Sequence, residues 1–291
     1  MRDFGYLEPA TVAEASQMLA DLADLGDSCR ILAGGTALML GMRQRMLTPG
    51  HLVSLGGLGA LRGITFDARE GLCIGALTLH AEVARSPLVQ AHYPMLAGMA
   101  ARVANPQVRN QGTIGGNLCY ADPATDPPGC LMALGARIVV SGRGGEREID
   151  IEDFLVDYYV TALAPDEIVT QIRVPAPAAG ADGRYARFLR TAAEHRPLAS
   201  VALAVRREGA FCVEARLAVG ASTPIPARLR RAEALLAGNT VTAELAAEAA
   251  AIVAADINAV SDMRGAEAYR REMVRVVARR TIAELFGVAS E

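Results

Sequence analysis

Hydrophobic and polar positions follow two different periods along the chain, which predicts a mixture of helices and strands. Residues 11–25 carry apolar side chains at helical spacing after a threonine that can cap a helix. The small apolar residues of 95–104 predict a buried helix. Short apolar or β-branched runs that end near glycine predict strands at 30–33, 52–55, 72–75, 136–141 and 168–174, with a glycine-rich hairpin turn at 142–145.

The clearest linker is the proline-, alanine- and glycine-rich segment 175–183. Beyond it the chain changes character. Three strands are predicted, which we expect to form an antiparallel sheet, followed by three helices; the strands are 185–189, 200–206 and 211–219, and the helices are 227–237, 242–255 and 265–286. We therefore expect an α+β chain with one domain at 1–178 and a smaller sheet-and-helix domain at 184–288.

Composition narrows the classes of function. The 291 residues are 52% hydrophobic and 21% charged, and the formal charge of −3 gives no field that would favour nucleic acid. All 29 basic residues are arginine, so neither a Schiff-base lysine nor a P-loop lysine is available. We find no signal peptide and no run long enough to span a membrane, and we expect a cytoplasmic protein.

The five cysteines are scattered without the spacing of a metal or cluster site, at Cys29, Cys73, Cys119, Cys130 and Cys212. We expect reduced thiols and no metal bound by this chain alone.

The candidate chemistry lies in two glycine loops about 80 residues apart. The first is centred on Gly34–Gly35, directly after a predicted strand, and the second on Gly115–Gly116. Paired glycines let the backbone approach a ligand closely and adopt positive φ, so that successive N–H groups can form a nest for an anion. Thr36, Thr113 and Asn117 could add side-chain donors, which suits a pyrophosphate.

Neither loop has the spacing of a Rossmann or P-loop motif. A single glycine pair more often forms only a tight turn, but the two pairs together favour a dinucleotide held by two loops. Asp126 could bind the hydroxyls of a ribose or ribityl chain, or could simply initiate a turn before Pro127.

At these residues the chain resembles a known family. Ala33-Gly34-Gly35-Thr36 and Thr113-Ile114-Gly115-Gly116-Asn117, with the tail 121–126, resemble the FAD-binding subunits of molybdenum hydroxylases of the xanthine dehydrogenase and carbon monoxide dehydrogenase type. Supporting similarities lie at 194–202, 227–233 and 269–273, so the resemblance covers nearly the whole chain. Ala37 departs from the Asp or Ser that many relatives carry there.

The resemblance implies a two-lobed FAD-binding domain of the vanillyl-alcohol-oxidase type and a C-terminal domain of antiparallel sheet and helices. It implies that FAD is bound by both loops and by a few residues elsewhere, among them Arg187, where some relatives place a lysine beside the flavin. The candidate cofactor-binding residues are Ile31, Leu32, Ala33, Gly34, Gly35, Thr36, Ala37, Leu38, Val103, Thr113, Ile114, Gly115, Gly116, Asn117, Asp126, Val169 and Arg187.

The implied function is electron transfer. In this family a large molybdopterin subunit oxidises the substrate, and a small subunit with two 2Fe–2S clusters passes the electrons to FAD. FAD then delivers them to NAD, oxygen, a quinone or another carrier. A dimer of heterotrimers is the implied assembly, and no catalytic acid, base or nucleophile is expected on this chain.

Two alternatives are a stand-alone FAD-dependent oxidase or reductase of the same fold, and a non-catalytic assembly protein. The first would need an acid–base cluster in a substrate pocket, and the second would be marked by degraded glycine loops.

Overall fold

The computed structural model describes residues 3–289 and confirms the predicted α+β class. The strands are β1 Gly5–Leu7, β2 Cys29–Leu32, β3 His51–Ser54, β4 Ile64–Asp67, β5 Gly71–Gly75, β6 Arg137–Gly142, β7 Gly145–Asp150, β8 Leu155–Asp157, β9 Val160–Thr161, β10 Ile168–Val174, β11 Ala181–Phe188, β12 Ala199–Glu208, β13 Phe211–Gly220, β14 Ala227–Arg228 and β15 Asn239–Thr240. The α-helices are α1 Val12–Asp24, α2 Leu38–Arg43, α3 His80–Arg85, α4 Pro87–His92, α5 Pro94–Ala100, α6 Pro106–Arg109, α7 Ile114–Tyr120, α8 Pro127–Ala133, α9 Ile151–Phe154, α10 Arg230–Leu236, α11 Ala243–Asp256 and α12 Glu267–Phe286.

Residues 3–174 form two lobes, each built around its own sheet. The first lobe has a parallel sheet in the order β1-β3-β2, with α1 packed against it. The second has an antiparallel sheet in the order β4-β5-β10-β6-β7, covered by the short helices. Each lobe buries a separate apolar cluster, because each sheet needs cover for its hydrophobic face.

The third sheet, in the order β11-β12-β13-β14, lies between two layers. Side chains alternate along β12, so Val201 and Leu203 pack against α10, α11 and α12, while Ala202 faces the core of the second lobe. Ala218 of β13 joins Ala202 on that face, and their small side chains let α8 pack directly on the sheet.

Several predicted boundaries differ from the observed ones, and local contacts explain the differences. The helix predicted for 95–104 ends at Ala100, and the chain turns through Ala104 at a φ of 41°. The strand predicted to begin at 185 begins at Ala181, because β12 offers a pairing partner along its whole length. The helix predicted from 227 begins at Arg230, because Ala227 and Arg228 pair with β13.

Candidate functional site

The two glycine loops lie in backbone contact. The first loop (residues 31–38) leaves the end of β2, and the second (residues 111–117) leads into α7. A methyl group on Gly34 would come within 2.2 Å of the Gln111 carbonyl oxygen and 2.9 Å of the Gly112 Cα. Only glycine fits there, so the loops predicted to act together do meet.

The first loop presents free N–H groups. Gly35 has a φ of +70°, which suits glycine and turns the chain sharply before α2. Within residues 3–289, the N–H groups of Gly34, Gly35, Thr36 and Ala37 donate no hydrogen bond. Backbone donors left unpaired in this way can be satisfied by an anion or by water.

The second loop uses most of its N–H groups to hold itself in place. Ile114 donates to the Thr78 carbonyl and Gly115 to the Ala76 carbonyl, both at 2.9 Å. Gly116 donates to the Thr113 side chain at 3.1 Å, which caps α7, and Asn117 donates to the Thr113 carbonyl. This loop therefore cannot form a second backbone nest equivalent to the first.

The second loop contributes in two other ways: its glycines allow close packing against neighbouring backbone, and it carries the Asn117 side chain. A methyl group on Gly115 would lie 2.7 Å from the Ala76 Cβ, so glycine there allows tight packing behind the loop. Gly116 faces the first loop, with the Ala33 side chain 3.5 Å from where its Cβ would be. The buried Asn117 Oδ1 has no protein partner among the described residues.

Asp126 is held by the C-terminal domain. Its carboxylate accepts a hydrogen bond from the Tyr185 hydroxyl at 2.6 Å and pairs with Arg187 at 2.9 Å. Burial raises the pKa of Asp126 above its ordinary value, while Arg187 and Tyr185 act to lower it. The turn alternative is not supported by the side chain, which makes no capping bond to α8.

The whole 121–126 segment is braced from the C-terminal domain. Arg196 pairs with the buried Asp122, which also accepts from the Tyr159 hydroxyl at 3.4 Å. The Ala221 N–H donates to the Pro123 carbonyl at 3.0 Å. With the Asp126 contacts, these bonds fix the segment that follows α7.

Val103 and Val169 lie in the same core, and their side chains are buried. Val169 precedes Thr170, whose carbonyl accepts from Ala76 behind the second loop. The Val103 carbonyl accepts from Arg109 at 2.9 Å. Only backbone groups of these two valines could therefore face a bound nucleotide.

His80 also belongs to this junction, although sequence reasoning missed it. The His80 N–H donates to the Gly112 carbonyl at 3.1 Å, and its ring packs beneath Gly112. An isolated histidine after an apolar residue carried no signal.

Comparisons with known proteins agree with this geometry. The family model described as "FAD binding domain in molybdopterin dehydrogenase" matches residues 2–177, and "CO dehydrogenase flavoprotein C-terminal domain" matches residues 184–285. The chain belongs to the family of FAD-binding subunits of molybdenum-containing dehydrogenases and hydroxylases. It is the flavoprotein subunit of an oxidoreductase, and its cofactor is FAD.

Individual relatives match over nearly their full length. The carbon monoxide dehydrogenase medium chain of Hydrogenophaga pseudoflava is 33% identical over 279 residues, which cover 96% of each chain. The nicotine 6-hydroxylase medium subunit of Paenarthrobacter nicotinovorans is 32% identical with the same coverage. A solved carbon monoxide dehydrogenase from Hydrogenophaga pseudoflava, lacking the Mo-pyranopterin moiety of its molybdenum cofactor, superimposes with a TM-score of 0.93 at 34% identity over 98% of both chains.

No helix in the described part of the chain is both long and apolar enough to cross a membrane.

Proposed function

We propose that this chain carries FAD between the iron–sulfur clusters of a small partner subunit and an external electron acceptor. The large molybdopterin subunit of the same complex would oxidise the substrate, and two such heterotrimers would form the dimer. The observation that carries the proposal is the junction of the two loops: Gly34 lies against Gln111 and Gly112, and the N–H groups of residues 34–37 have no acceptor among the described residues. When bound, FAD supplies the exchange between one-electron and two-electron chemistry.

The residues at the junction fit the pyrophosphate of FAD. The N–H groups of residues 34–37 would donate to phosphate oxygens, and the Thr36 hydroxyl lies beside them. The unpaired Oδ1 of Asn117 on the second loop is an acceptor, so it would take a hydrogen bond from a hydroxyl of the dinucleotide. Ile31, Leu32, Ala33 and Leu38 would shape the walls of the first loop, and Thr113, Ile114, Gly115 and Gly116 those of the second.

Arg187 and Asp126 would act as a fixed ion pair at the domain boundary. The side chain of Arg187 is 12% exposed and that of Asp126 4%, so solvent screens the pair weakly. Arg187 would then present a positive charge beside the flavin. We further propose the division of the chain into domains at 1–178 and 184–288, with Val103 and Val169 lining the nucleotide through backbone atoms.

The five cysteines are all free thiols, which supports a reducing, cytoplasmic location. The acceptor is proposed only by class: NAD, a quinone, oxygen or another carrier.

The test is to purify the full chain, remove any bound chromophore, and titrate the colourless protein with FAD, FMN and riboflavin while flavin fluorescence is recorded. We expect one FAD per chain and much weaker binding of riboflavin, because riboflavin lacks the phosphates that the first loop would bind. A chain that takes up no FAD, or that binds all three equally, would contradict the proposal. Co-purification with iron–sulfur and molybdopterin subunits then tests the assembly.

A further inference from the structure

The short helix α2, which follows the first glycine loop, and the turn after it expose apolar side chains to solvent. Leu40 on the helix is 55% exposed, and Met46 in the turn is 69% exposed. Neither belongs to an apolar cluster of the described chain. We call the exposed residues of this helix and turn, Leu40 and 43–46, the α2 surface.

The α2 surface also carries two arginines without partners. Arg43 and Arg45 are exposed, and their side chains form no ion pair or hydrogen bond with any residue that the structure describes. The comparably exposed Arg231 does pair with a carboxylate. The whole segment 28–66 contains four arginines and no aspartate or glutamate. The α2 surface is therefore positively charged, and it lacks carboxylates of its own.

Arg45 occupies a position where glycine is usual. It follows the helix cap Gln44 and has a φ of 59°. Its N–H donates to the Met42 carbonyl, and that of Met46 donates to the Gly41 carbonyl, which are the two hydrogen bonds of a Schellman motif. A side chain strains this left-handed conformation. Arginine therefore costs stability here, and its side chain makes no contact within the described chain that offsets the cost.

The α2 surface adjoins the proposed FAD site. The helix begins at Leu38, directly after the unpaired N–H groups of residues 34–37, and the Gly35 and Ala37 carbonyls accept its first hydrogen bonds. In FAD only the ribityl chain separates the flavin ring from the pyrophosphate. Because electron transfer between proteins slows steeply with distance, the subunit that reduces the flavin must bind the face of this chain around the FAD site.

We propose that the α2 surface is a docking site for the small iron–sulfur subunit. The partner would place apolar side chains against Leu40 and Met46 and pair its carboxylates with Arg43 and Arg45. Methionine and arginine are both enriched at protein–protein interfaces, and complementary charge fixes the orientation of the partner. This inference rests on the proposed function and adds to it the surface through which electrons would arrive.

The first test uses Arg45, because a role in docking and a role in folding predict opposite signs. Arg45→Gly relieves the strained backbone, so we expect the thermal midpoint of the isolated chain to stay the same or to rise. The complex, co-expressed with both partner subunits and purified, should release this chain on dilution with a dissociation constant raised at least about tenfold. Mass photometry measures that release. An unchanged dissociation constant would overturn the proposal.

The apolar part of the α2 surface is tested with a matched control. The double variant Leu40→Ser and Met46→Ser should raise the same dissociation constant at least about tenfold. Leu25→Ser changes a leucine that is 77% exposed at the end of α1, outside the α2 surface, and should leave it within about twofold. FAD affinity should stay unchanged in both variants. Equal release in the control, or no added release in the double variant, would contradict the proposal.

The absence of lysine allows the partner to be identified directly. Arg45→Lys keeps the positive charge and introduces the only lysine of the chain. In the assembled complex, a carbodiimide reagent joins the lysine amine to a carboxylate with which it forms an ion pair, as an amide and with loss of water. We expect mass spectrometry to find the cross-linked peptide on the iron–sulfur subunit. A cross-link to the molybdopterin subunit or to a second copy of this chain, or no cross-link, would overturn the proposal.

Failure of this inference is distinguishable from failure of the proposed function. A wild-type chain that binds no FAD and forms no complex with an iron–sulfur subunit would remove the proposed function, and this inference with it. A wild-type complex that assembles and binds FAD, with variants of the α2 surface that behave like the wild type, would remove this inference alone.

Discussion

In the first glycine loop the N–H groups of residues 34–37 find no acceptor within the described residues, whereas four consecutive N–H groups of the second loop are bonded to protein. The first loop follows β2 in the first lobe, and its backbone N–H groups remain available to a ligand. The second is tied to Ala76 and Thr78, and the segment after it is braced by the C-terminal domain. The first loop leaves hydrogen-bond donors for a ligand, whereas the second is held in place by the protein. Substitutions in the first loop should therefore lower the affinity for FAD, and substitutions in the second loop should lower the stability of the fold.

The largest loss of stability should come from breaking the ion pair between Arg187 and Asp126, which helps to fix segment 121–126. Arg187→Met leaves the buried Asp126 carboxylate without its cation, and loss of one partner of a buried pair costs about 3–5 kcal/mol. Urea unfolding of the FAD-free chain measures this loss. Arg231→Met breaks a pair whose arginine is 72% exposed and should cost less than about 1 kcal/mol. Equal unfolding free energies for the two variants would show that the Arg187–Asp126 pair does not stabilise the fold more than an exposed pair does.

Forcing the loops apart should act on FAD binding. Gly34→Ala places a methyl group against the Gln111 carbonyl oxygen, so one loop must move. We expect FAD affinity to fall about a hundredfold, or about 2.7 kcal/mol, as measured by fluorescence titration. Gly98→Ala is the matched control, because a methyl group there meets no atom within 4 Å. Wild-type affinity in Gly34→Ala would mean that the contact between the loops is dispensable.

The buried His80 predicts a specific dependence of stability on pH. Its pKa is about 4 in the folded chain and about 6.5 when unfolded, so the unfolded state binds the proton first as pH falls. The stability due to neutral His80 is fully present above pH 6.5 and is lost as pH falls from 6.5 toward 4, by up to about 1.4 kcal/mol per pH unit.

The measurement is the difference in unfolding free energy between the wild type and His80→Leu, both without FAD, at several pH values. This difference removes the contribution of carboxylates that titrate in the same range. A difference that stays constant from pH 7 to pH 4.5 would contradict the lowered pKa.

The smallest effects should distinguish two threonines. The Thr113 hydroxyl caps α7, so Thr113→Val should cost about 1 kcal/mol of stability. The Thr36 hydroxyl makes no hydrogen bond within the described chain, so Thr36→Val should leave the thermal midpoint nearly unchanged and weaken FAD binding severalfold. If both variants lose only stability, or both lose only FAD affinity, then the two loops do not have the separate roles proposed for them.

The strand and helix periods were enough to predict most elements of the second half of the chain, including the three strands β11, β12 and β13 and the helices α11 and α12 to within a few residues. Short elements such as α6 and β14 were missed, because two to four residues carry too little periodicity to stand out. Their conformation depends on neighbours that are distant in sequence, as the pairing of β14 with β13 shows.

The sequence by itself determined the class of the chain, its two glycine loops and the residues that distinguish it from a Rossmann or P-loop protein, because these depend on residue type and spacing. Only the tertiary structure decided that the loops touch, that one leaves its N–H groups free while the other uses them, and that Asp126 pairs with Arg187. It also placed His80 beneath the junction. These are contacts between residues up to about 80 positions apart, and burial and hydrogen-bond pairing are settled only when the folded chain brings those residues together.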